Sequence, residues 1–458
     1  MSDAAIPLTA TPTAPSAARE RTPLGAWYSL GVLTVITLIA FIDRNILLLQ
    51  AEVIRKAMGL SDVQLGLLQG TAVAAFTALA TFPLGWLADR FDRRLVLGAC
   101  ALFWSAAVVA SGMAQTYEQL LLASALVGAG EAGLVPIAYA MIPDMFGEKK
   151  RQMANSVFAM ASMSASSLAM ALCGQVIGMV EVLRPDLPLR LQGLDAWRLG
   201  FFAVALPAPI MVLMIATISL RRPAKPAAAP SEPAPEQPGA APLLPHLKAH
   251  RTTFLYFSGG LFSALFGFSA VGAWLAVIYL RMHGVGAKEL GAALGVIALV
   301  AVLVGFPASV YGTRYFRERI GPGVNVRSLW LTCVLGALAV SLMVFATSAR
   351  QMFIIHGAYL VTLTAALLVY PTTLQALAPA HLRARTVAVI GMIAAAGGAI
   401  APPVTGFVSD HFKHLPNGLM LSAALVAVPA LLLAVFLLAR GEKYYVATAE
   451  AVRRADAA

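Results

Sequence analysis

The chain has 458 residues, of which 59% are apolar and only 12% are charged, and its formal net charge is +11. In a soluble domain roughly a quarter of all residues are charged, because the domain must cover a water-facing surface. This composition therefore excludes an ordinary soluble globular protein. It also argues against a nucleic-acid-binding protein, because the basic residues are spread over many loops and form no single patch.

In chain order, a short tail comes first and twelve apolar stretches follow. Residues 1–22 are rich in Pro, Ala and Thr and lack the apolar core of a signal peptide, which predicts a disordered tail. Each stretch that follows is long enough for a helix that crosses a membrane, which takes about 20 residues. Because the stretches are continuous and do not alternate polar with apolar residues, they favour helices over a β-barrel. The predicted fold class is therefore an all-α integral membrane protein. The stretches cover residues 27–50, 64–88, 95–113, 117–141, 152–181, 197–220, 252–281, 288–311, 326–347, 352–378, 384–409 and 417–440.

A proline- and alanine-rich segment, residues 221–246, divides the twelve stretches evenly. Repeated prolines disfavour a helix and favour extended backbone. The pattern predicts two six-helix bundles, residues 23–220 and 247–442, joined by this linker and followed by a tail at 443–458. In transporters built from two such repeats, the substrate site lies near the middle of the membrane between the halves.

The orientation follows from the positive residues. Most of the 33 Lys and Arg residues lie in loops on the side that would hold both termini. Loops rich in Lys and Arg face the cytoplasm. Both termini are therefore predicted to be cytoplasmic, in a multi-pass protein of the cell membrane, with a bacterial inner membrane as the expected compartment.

Small residues recur at four-residue spacing in three of the predicted helices. The pairs are Gly66 and Gly70, Gly174 and Gly178, and Gly291 and Gly295. Such spacing lets two helix backbones approach closely. Static packing is one interpretation, and an interface that slides during a transport cycle is the other.

The loop after the second stretch, residues 85–94, reads GWLADRFDRR. A carboxylate at a helix end followed by three arginines can form alternating ion pairs, and Asp89 can also face the positive N-terminus of another helix. The segment matches the G-x-x-x-D-R-x-x-R-R signature of the major facilitator superfamily. The resemblance implies a cluster that latches the two halves on the cytoplasmic side. The alternative interpretation is a basic loop that only fixes the orientation of the protein in the membrane, and such a loop would not need a glycine and an aspartate at this spacing.

Two further segments relate to this motif. The equivalent loop of the second half, residues 312–317, reads GTRYFR, keeps the glycine and the basic residues and has no Asp, so it is interpreted as a degenerate copy. Asp144 lies in a segment that resembles the family's loop after helix 4, and it is a candidate ion-pair partner for Arg93 or Arg151. The predicted latch residues are Gly85, Asp89, Arg90, Arg93, Arg94, Asp144 and Arg151.

Glu131 is the clearest ionisable residue inside a predicted span. It lies about 14 residues into the fourth stretch, which at 1.5 Å per residue is roughly the middle of the membrane. A charge there costs from ~3 to more than 10 kcal/mol, so a functional role is the default interpretation. A low-dielectric surrounding disfavours the ionised form, and Glu131 is therefore predicted to bind and release a proton. The alternative is a permanently protonated or hydrogen-bonded structural residue.

Asp43 and Arg44 are the second ionisable feature, in the outer half of the first stretch. Adjacent residues point about 100° apart on a helix, so the two side chains cannot both face lipid without penalty. Asp43 is a candidate proton or cation site, and Arg44 is expected to hold an anionic group or to pair with Asp43 or Glu131. The alternative is that the first helix is shorter and that these residues form its outer end.

A weaker signal concerns residues that would line a cavity. Aromatic residues and His in the seventh and tenth stretches, and a Met- and Ser-rich fifth stretch, suit an amphiphilic pocket because Met adapts to irregular shapes. Lipid-facing or packing roles are equally consistent with the pattern. The candidate lining residues are Ser124, Met160, Phe266, Trp274, His356 and Tyr370.

Three segments together resemble the spinster-like branch of the superfamily, which comprises sphingolipid and lysophospholipid transporters. They are residues 41–44 (FIDR), 128–132 (GAGEA) and 197–202 (WRLGFF). The resemblance implies alternating access, protonation of Asp43 and Glu131, and an anionic headgroup near Arg44. One position departs from the family, because Ser124 stands where an arginine usually precedes the glutamate by seven residues. Arg44 is then the expected partner of Glu131.

The function predicted from these features is secondary active transport by alternating access, coupled to protons, of a lysolipid- or sphingolipid-like anion. The alternatives are a proton symporter for a small organic acid or sugar derivative and, from another class, a membrane receptor or scaffold that does not transport. The expected partners are the substrate, protons and membrane lipids, and a monomer is expected. Cys100, Cys173 and Cys333 show no disulfide or metal-ligand spacing, so no metal, cofactor or enzymatic activity is predicted.

Overall fold

The computed structural model describes residues 24–219, 243–379 and 382–457, and every regular element in these ranges is a helix. The predicted tail at 1–22 and most of the predicted linker, up to residue 242, lie outside the described residues. A short helix, Leu243–Ala249, begins inside the last part of that predicted linker.

Twelve helices in the described part of the chain are long and apolar enough to cross a membrane. Each predicted stretch corresponds to one of them, so the predicted fold class is confirmed. The helices are α1 (Leu24–Met58), α2 (Asp62–Arg90), α3 (Arg93–Met113), α4 (Tyr117–Met145), α5 (Glu148–Leu183), α6 (Ala196–Ala216), α7 (Arg251–His283), α8 (Ala287–Ile320), α9 (Val324–Val344), α10 (Ala349–Gln375), α11 (Arg383–Phe412) and α12 (Gly418–Ala457).

Several of these helices are locally irregular. Helix α2 contains a π-helical turn, Leu67–Thr71, and α4 is interrupted at Ala132 and Gly133. Helix α7 is interrupted in the same way between Gly272 and Leu275. Membrane helices tolerate such breaks where neighbouring helices satisfy the freed backbone groups.

Two predicted boundaries differ from the structure. The first helix was predicted to end at residue 50, but α1 continues to Met58, and Glu52 on this continuation is buried and ion-paired. The last helix continues beyond residue 440 to Ala457, so the predicted tail at 443–458 is helical through Ala457. For α1, the buried ion pair of Glu52 permits helical continuation where sequence hydropathy indicates an exit from the membrane.

Helices α1–α6 are called the first half here and α7–α12 the second half. The end of the bundle at which α2 finishes, at Arg90, is called the basic face, and the other end, at which α1 finishes, is called the opposite face. At the opposite face one hydrophobic cluster contains residues of both halves, such as Ile54 and Tyr279. Towards the basic face each half has a cluster of its own, around Met141 and around Phe254 respectively. The halves therefore pack together at the opposite face and separate towards the basic face.

The spaced glycines lie where the two halves touch. A Cβ on Gly291 of α8 would lie 2.7 Å from the carbonyl oxygen of Met170 and 2.8 Å from the Cα of Gly174, both on α5. A Cβ on Gly70 of α2 would lie 2.7 Å from the ring of Pro402 on α11. These distances leave no room for a side chain, so glycine is required for this closure of the opposite face.

Candidate functional site

Arg44 and Glu131 form an ion pair inside the first half. The guanidinium of Arg44 on α1 donates to Oε2 of Glu131 on α4, at 2.7 Å from Nη2 and 3.1 Å from Nε. At 1.5 Å per residue, both lie about 21 Å along their helices from the opposite-face ends, at Met58 and Tyr117. Because α1 continues past Arg44 to Met58, the alternative that Asp43 and Arg44 end a shorter helix does not hold.

The two members of this pair differ strongly in exposure. The Glu131 side chain is 5% exposed, whereas the Arg44 side chain is 52% exposed. A guanidinium that faced lipid at this depth would be very costly, so its exposed side faces an aqueous space within the bundle. Because the halves separate only towards the basic face, that space opens there.

Asp43 is buried beside this pair. The indole nitrogen of Trp104 on α3 donates to its Oδ2 at 3.1 Å, and the carboxyl group lies close enough to Glu131 for their charges to interact. Oδ1 of Asp43 and Oε1 of Glu131 have no hydrogen-bond partner within the described residues. A buried carboxylate oxygen without a donor is costly, and a proton on the group removes the charge. The arrangement is chemically suited to proton binding.

The glycines around Glu131 bring the helices of this site together. A Cβ on Gly130 would lie 2.7 Å from the Cβ of Trp104, and a Cβ on Gly128 would lie 2.7 Å from the carbonyl oxygen of Val73 on α2. Glycine at these two positions therefore lets α4 approach α3 and α2. The close approach at Gly130 holds Trp104 where its indole reaches Asp43.

The first part of the predicted latch forms ion pairs within the first half. Arg93 at the start of α3 pairs with Asp144 near the end of α4 and also donates to the carbonyl oxygen of Ala140. Asp89 is 78% exposed and lies 3.9 Å from the Arg93 guanidinium. Asp144 thus lies with Arg93, one of the two partners that the sequence suggested.

The other latch residues also remain on the first half within the described residues. Arg94 pairs with Asp92 at 2.7 Å, and this hydrogen bond holds the pKa of the Asp92 carboxyl below its usual range. The Arg90 guanidinium lies over the ring of Trp86, 4.2 Å from its centroid. Gly85 has nothing within 4 Å of an added Cβ, and Arg151 is exposed. Among the residues that the structure describes, the motif makes no ion pair with the second half, and the halves are separated on this face.

Three of the predicted cavity residues are packed in the interior instead. Trp274 has no exposed surface and donates from its indole nitrogen to the carbonyl oxygen of Pro402 at 3.1 Å. His356 is buried, with Nδ1 3.4 Å from the Tyr279 hydroxyl, and Ser124 is buried within α4. In this conformation these three side chains contact neighbouring helices, and their role in lining a cavity stays a prediction. Sequence periodicity cannot separate a cavity wall from a packed helix contact.

The remaining three candidates keep exposed surface. Met160 on α5 is largely exposed, while Phe266 on α7 and Tyr370 on α10 are half-buried. The ring of Phe266 stacks on Phe262 at a centroid distance of 6.2 Å. These positions remain candidates for contact with an apolar ligand.

A cluster at the opposite face, absent from the sequence predictions, joins the two halves. Arg281 on α7 donates from Nε to Glu52 at 2.9 Å, and from Nη1 and Nη2 to the two oxygens of Asp62 at 2.9 and 2.6 Å. Arg55 also donates to Glu52, at 2.9 Å from Nε and from Nη2. Glu52, Arg55, Asp62 and Arg281 are called the opposite-face ion cluster below. It connects α1 and α2 of the first half to α7 of the second.

Helix α11 contributes further bonds to this cluster. The Asp410 carboxylate accepts the backbone N–H groups of Asp62 and Val63 at 3.1 and 3.2 Å, at the start of α2. The Ser409 hydroxyl donates to Asp62 at 2.7 Å. The signal in the sequence was a set of charged residues at or next to the ends of predicted helices, which does not show which of them pair.

The comparisons with known proteins agree with this architecture. A sequence model of the Major Facilitator Superfamily matches residues 33–402. The sphingosine-1-phosphate transporter SPNS2 of Danio rerio is 32% identical over 164 residues, which are 35% of this chain and 31% of that protein. A probable sulfoacetate transporter of Cupriavidus necator is 36% identical over 109 residues, 24% of this chain and 25% of that protein. The matched regions therefore span only about a third or less of these relatives.

A solved structure shares the fold over almost the whole chain. It is a bacterial homologue of the human lysosomal transporter Spinster, in an inward-facing and unoccupied conformation. It covers 95% of this chain and 99% of its own, with a TM-score of 0.73 and 23% sequence identity. At that identity the likeness shows the fold alone.

Proposed function

The chain belongs to the Major Facilitator Superfamily, and from this premise we propose that it couples protons to the transport of a lysolipid- or sphingolipid-like anion. The family consists of secondary transporters and not of enzymes, and spinster-like proteins are among the relatives of this chain. The observation that carries the proposal is the exposed Arg44 guanidinium paired with the buried Glu131 at mid-membrane depth. Arg44 binds the anionic group, and Asp43 and Glu131 exchange protons.

Competition for Arg44 supplies the coupling. When a substrate anion takes the guanidinium, Glu131 loses the partner that stabilises its charge, and a buried carboxylate without a partner favours the protonated form. Anion binding and proton binding then strengthen each other, because each removes the same ion pair. The neighbouring Asp43 supplies a second carboxyl group that interacts with Glu131.

The apolar surface near the opening supports an amphiphilic substrate. Between Ala72 and Arg90, helix α2 buries only Ala88, and Leu79 and Phe82 are largely exposed. A helix at the edge of an open cleft is exposed to the cleft as well as to lipid. Its apolar side chains can then contact the acyl chain of a substrate whose anionic group binds Arg44. The transporter named for sphingosine-1-phosphate among the relatives is consistent with this chemistry.

The remaining assignments follow from the charge distribution. The basic face is the cytoplasmic face, because loops rich in Lys and Arg face the cytoplasm, and the open cleft then faces inward. The two bundles, residues 23–220 and 247–442, rock about the site between them, with residues 221–246 as the connecting linker. The opposite-face ion cluster opens when the cleft closes on the basic face, where the segment at 85–94 latches the halves.

The direct test is flux into proteoliposomes of the purified chain under an imposed pH gradient. We expect uptake of sphingosine-1-phosphate or a lysophospholipid, inhibited by other lysolipids and not by short carboxylates. Arg44→Gln is expected to lower this uptake at least about tenfold, the effect of losing one charge-assisted hydrogen bond. Arg350→Gln, an exposed arginine at the start of α10, is the matched control and should transport normally.

The outcome also decides between substrate classes. Uptake of sulfoacetate or another short organic acid, with no lysolipid flux, would reject the amphiphile. It would support the alternative symporter, which the sulfoacetate relative favours. Lysolipid uptake that Arg44→Gln leaves unchanged would remove Arg44 from the substrate site.

A further inference from the structure

The indole of Trp104 on α3 is the one hydrogen-bond donor to the Asp43 carboxyl group in the described part of the chain. Its nitrogen lies 3.1 Å from Oδ2 of Asp43. Trp104 has no exposed surface and Asp43 is only 4% exposed, so the contact is shielded from water. It joins α3 to one of the two carboxyl groups that are proposed to exchange protons.

This contact determines which oxygen of Asp43 is free to take a proton. An indole N–H group donates a hydrogen bond and cannot accept one. Oδ2 of Asp43 therefore acts as the acceptor, and it has no acceptor on Trp104 for an O–H group of its own. Oδ1 has no hydrogen-bond partner within the described residues. Oδ1 is thus the oxygen that is left for the proton.

The same contact stabilises the ionised form of Asp43. A carboxylate is a stronger acceptor than a neutral carboxylic acid, so a donated hydrogen bond favours loss of the proton. Glu131 has an ion-pair partner in Arg44, whereas Asp43 has none within the described residues. Without Trp104, the ionised Asp43 would be a buried charge that neither a donor nor a cation offsets.

The other groups around Asp43 do not supply such a donor. Glu131 on α4 carries a charge of the same sign, and Arg44 on α1 donates to Glu131. The Cys173 thiol on α5 is near enough for its charge to interact with Asp43, and it lies in a hydrophobic cluster. All other charged residues of α1–α8 lie within two turns of a helix end, whereas Asp43 is in the middle of α1.

Packing holds the indole in place. An added Cβ on Gly130 of α4 would lie 2.9 Å from the backbone nitrogen of Trp104. Trp104 also belongs to a hydrophobic cluster that includes Ala101 of its own helix and Met141 of α4. A large side chain in a close-packed interior has few alternative rotamers, so the N–H group stays directed at Asp43.

We propose that Trp104 is a positioning residue for the proton of Asp43. Its N–H group occupies Oδ2, leaves Oδ1 to take the proton, and stabilises the carboxylate after the proton has left. The inference rests on the proposed function, because it deepens the role of Asp43 in proton coupling. Trp104 acts only through Asp43.

The first test compares the pH profile of sphingosine-1-phosphate uptake into proteoliposomes for Trp104→Phe and the original protein. Phenylalanine keeps an apolar ring but has no N–H group, so Asp43 loses its donor and stays protonated to higher pH. We expect the pH of half-maximal uptake to rise by roughly half to one pH unit, the effect of one net hydrogen bond.

Trp197→Phe is the matched control for this profile. Trp197 on α6 is also buried, and its indole nitrogen has no hydrogen-bond partner within the described residues. The control variant therefore removes the same atoms from the interior without removing a hydrogen bond, and it should leave the pH profile unchanged.

A second measurement needs no transport. Infrared difference spectra of the full-length protein in detergent, taken between acidic and alkaline pH without substrate, contain the C=O stretch of each carboxyl group that gains a proton. Asp43→Asn identifies the band of Asp43 by its loss. In Trp104→Phe this band is expected to move to higher wavenumber, because the C=O group at Oδ2 no longer accepts a hydrogen bond. Trp197→Phe should leave the band in place.

The two measurements separate this inference from the proposed function. If the original protein shows no pH-driven uptake, the proposed function fails, and the infrared band alone decides the role of Trp104. A band that Trp104→Phe leaves in place overturns the inference, and so does an unchanged uptake profile or an equal shift in Trp197→Phe. The inference is also overturned if Asp43→Asn removes no band, because Asp43 then binds no proton in this pH range.

Discussion

Glu131→Gln is expected to remove most of the pH-driven uptake while the protein remains folded. The variant keeps the size of the side chain and a hydrogen-bond acceptor for Arg44, but it can no longer gain or lose a proton. A pH gradient then has no group at this position on which to act, and we expect at least a roughly tenfold loss of driven flux, comparable to losing a charge-assisted hydrogen bond. Flux in proteoliposomes with an acidic exterior or interior measures this directly.

A second measurement separates coupling from folding. Exchange of labelled for unlabelled substrate at equal pH on both sides requires binding and alternating access but no net proton movement. Glu131→Gln is expected to retain this exchange, because Arg44 remains available to the anion. Glu118→Gln, an exposed glutamate in the first turn of α4, is the matched control and should behave as the original protein. Undiminished pH-driven uptake by Glu131→Gln would reject the proton role.

Arg281→Gln is expected to open the opposite face. Arg281 donates to Glu52 and Asp62 across the two halves, and both carboxylates are buried. Removing one partner of a buried pair is strongly unfavourable, although Arg55 still contacts both carboxylates and offsets part of the loss. A loss of about 2 kcal/mol shifts the balance between closed and open forms roughly thirtyfold towards the open form.

Distances between spin labels measure this shift. Labels at Ala57, near the end of α1, and at His414, after α11, report the separation of the halves at the opposite face, and both positions are exposed. Arg281→Gln is expected to add a longer distance that is rare in the original protein, and Arg281→Lys should restore part of the short one. Arg350→Gln, on the same face of the second half, should leave the distances unchanged. An unchanged distribution in Arg281→Gln would mean that the ion cluster does not hold this face closed.

The pairing of Arg44 with Glu131 shows how far sequence reasoning reaches into the site. Both residues were functional candidates because a charge at membrane depth is costly. Arg44 was the expected partner of Glu131 because Ser124 stands where an arginine usually lies on helix 4. The 2.7 Å contact agrees with that expectation. Trp104 was not predicted, because an indole in an apolar helix has no sequence signal for donation to a carboxylate on another helix.

Residues that line a cavity leave a weaker signal in the sequence than charged residues do. Trp274 and His356 lie on helices that were predicted to face a cavity, yet both are packed against neighbouring helices. In a membrane protein the residues that face lipid, a packed neighbour or a cavity can all be apolar, so composition does not distinguish these surroundings. Charged residues are distinguishable because lipid excludes them.

The sequence by itself determined the twelve membrane helices, the division into two sets of six and the buried charges of α1 and α4. These features depend on the length and polarity of contiguous segments, which the chain carries locally. Only the tertiary structure decided that Arg281 meets Glu52 and Asp62, that the halves close at the opposite face, and that Trp104 donates to Asp43. Those features join residues far apart in the chain, and they depend on how the helices pack against one another.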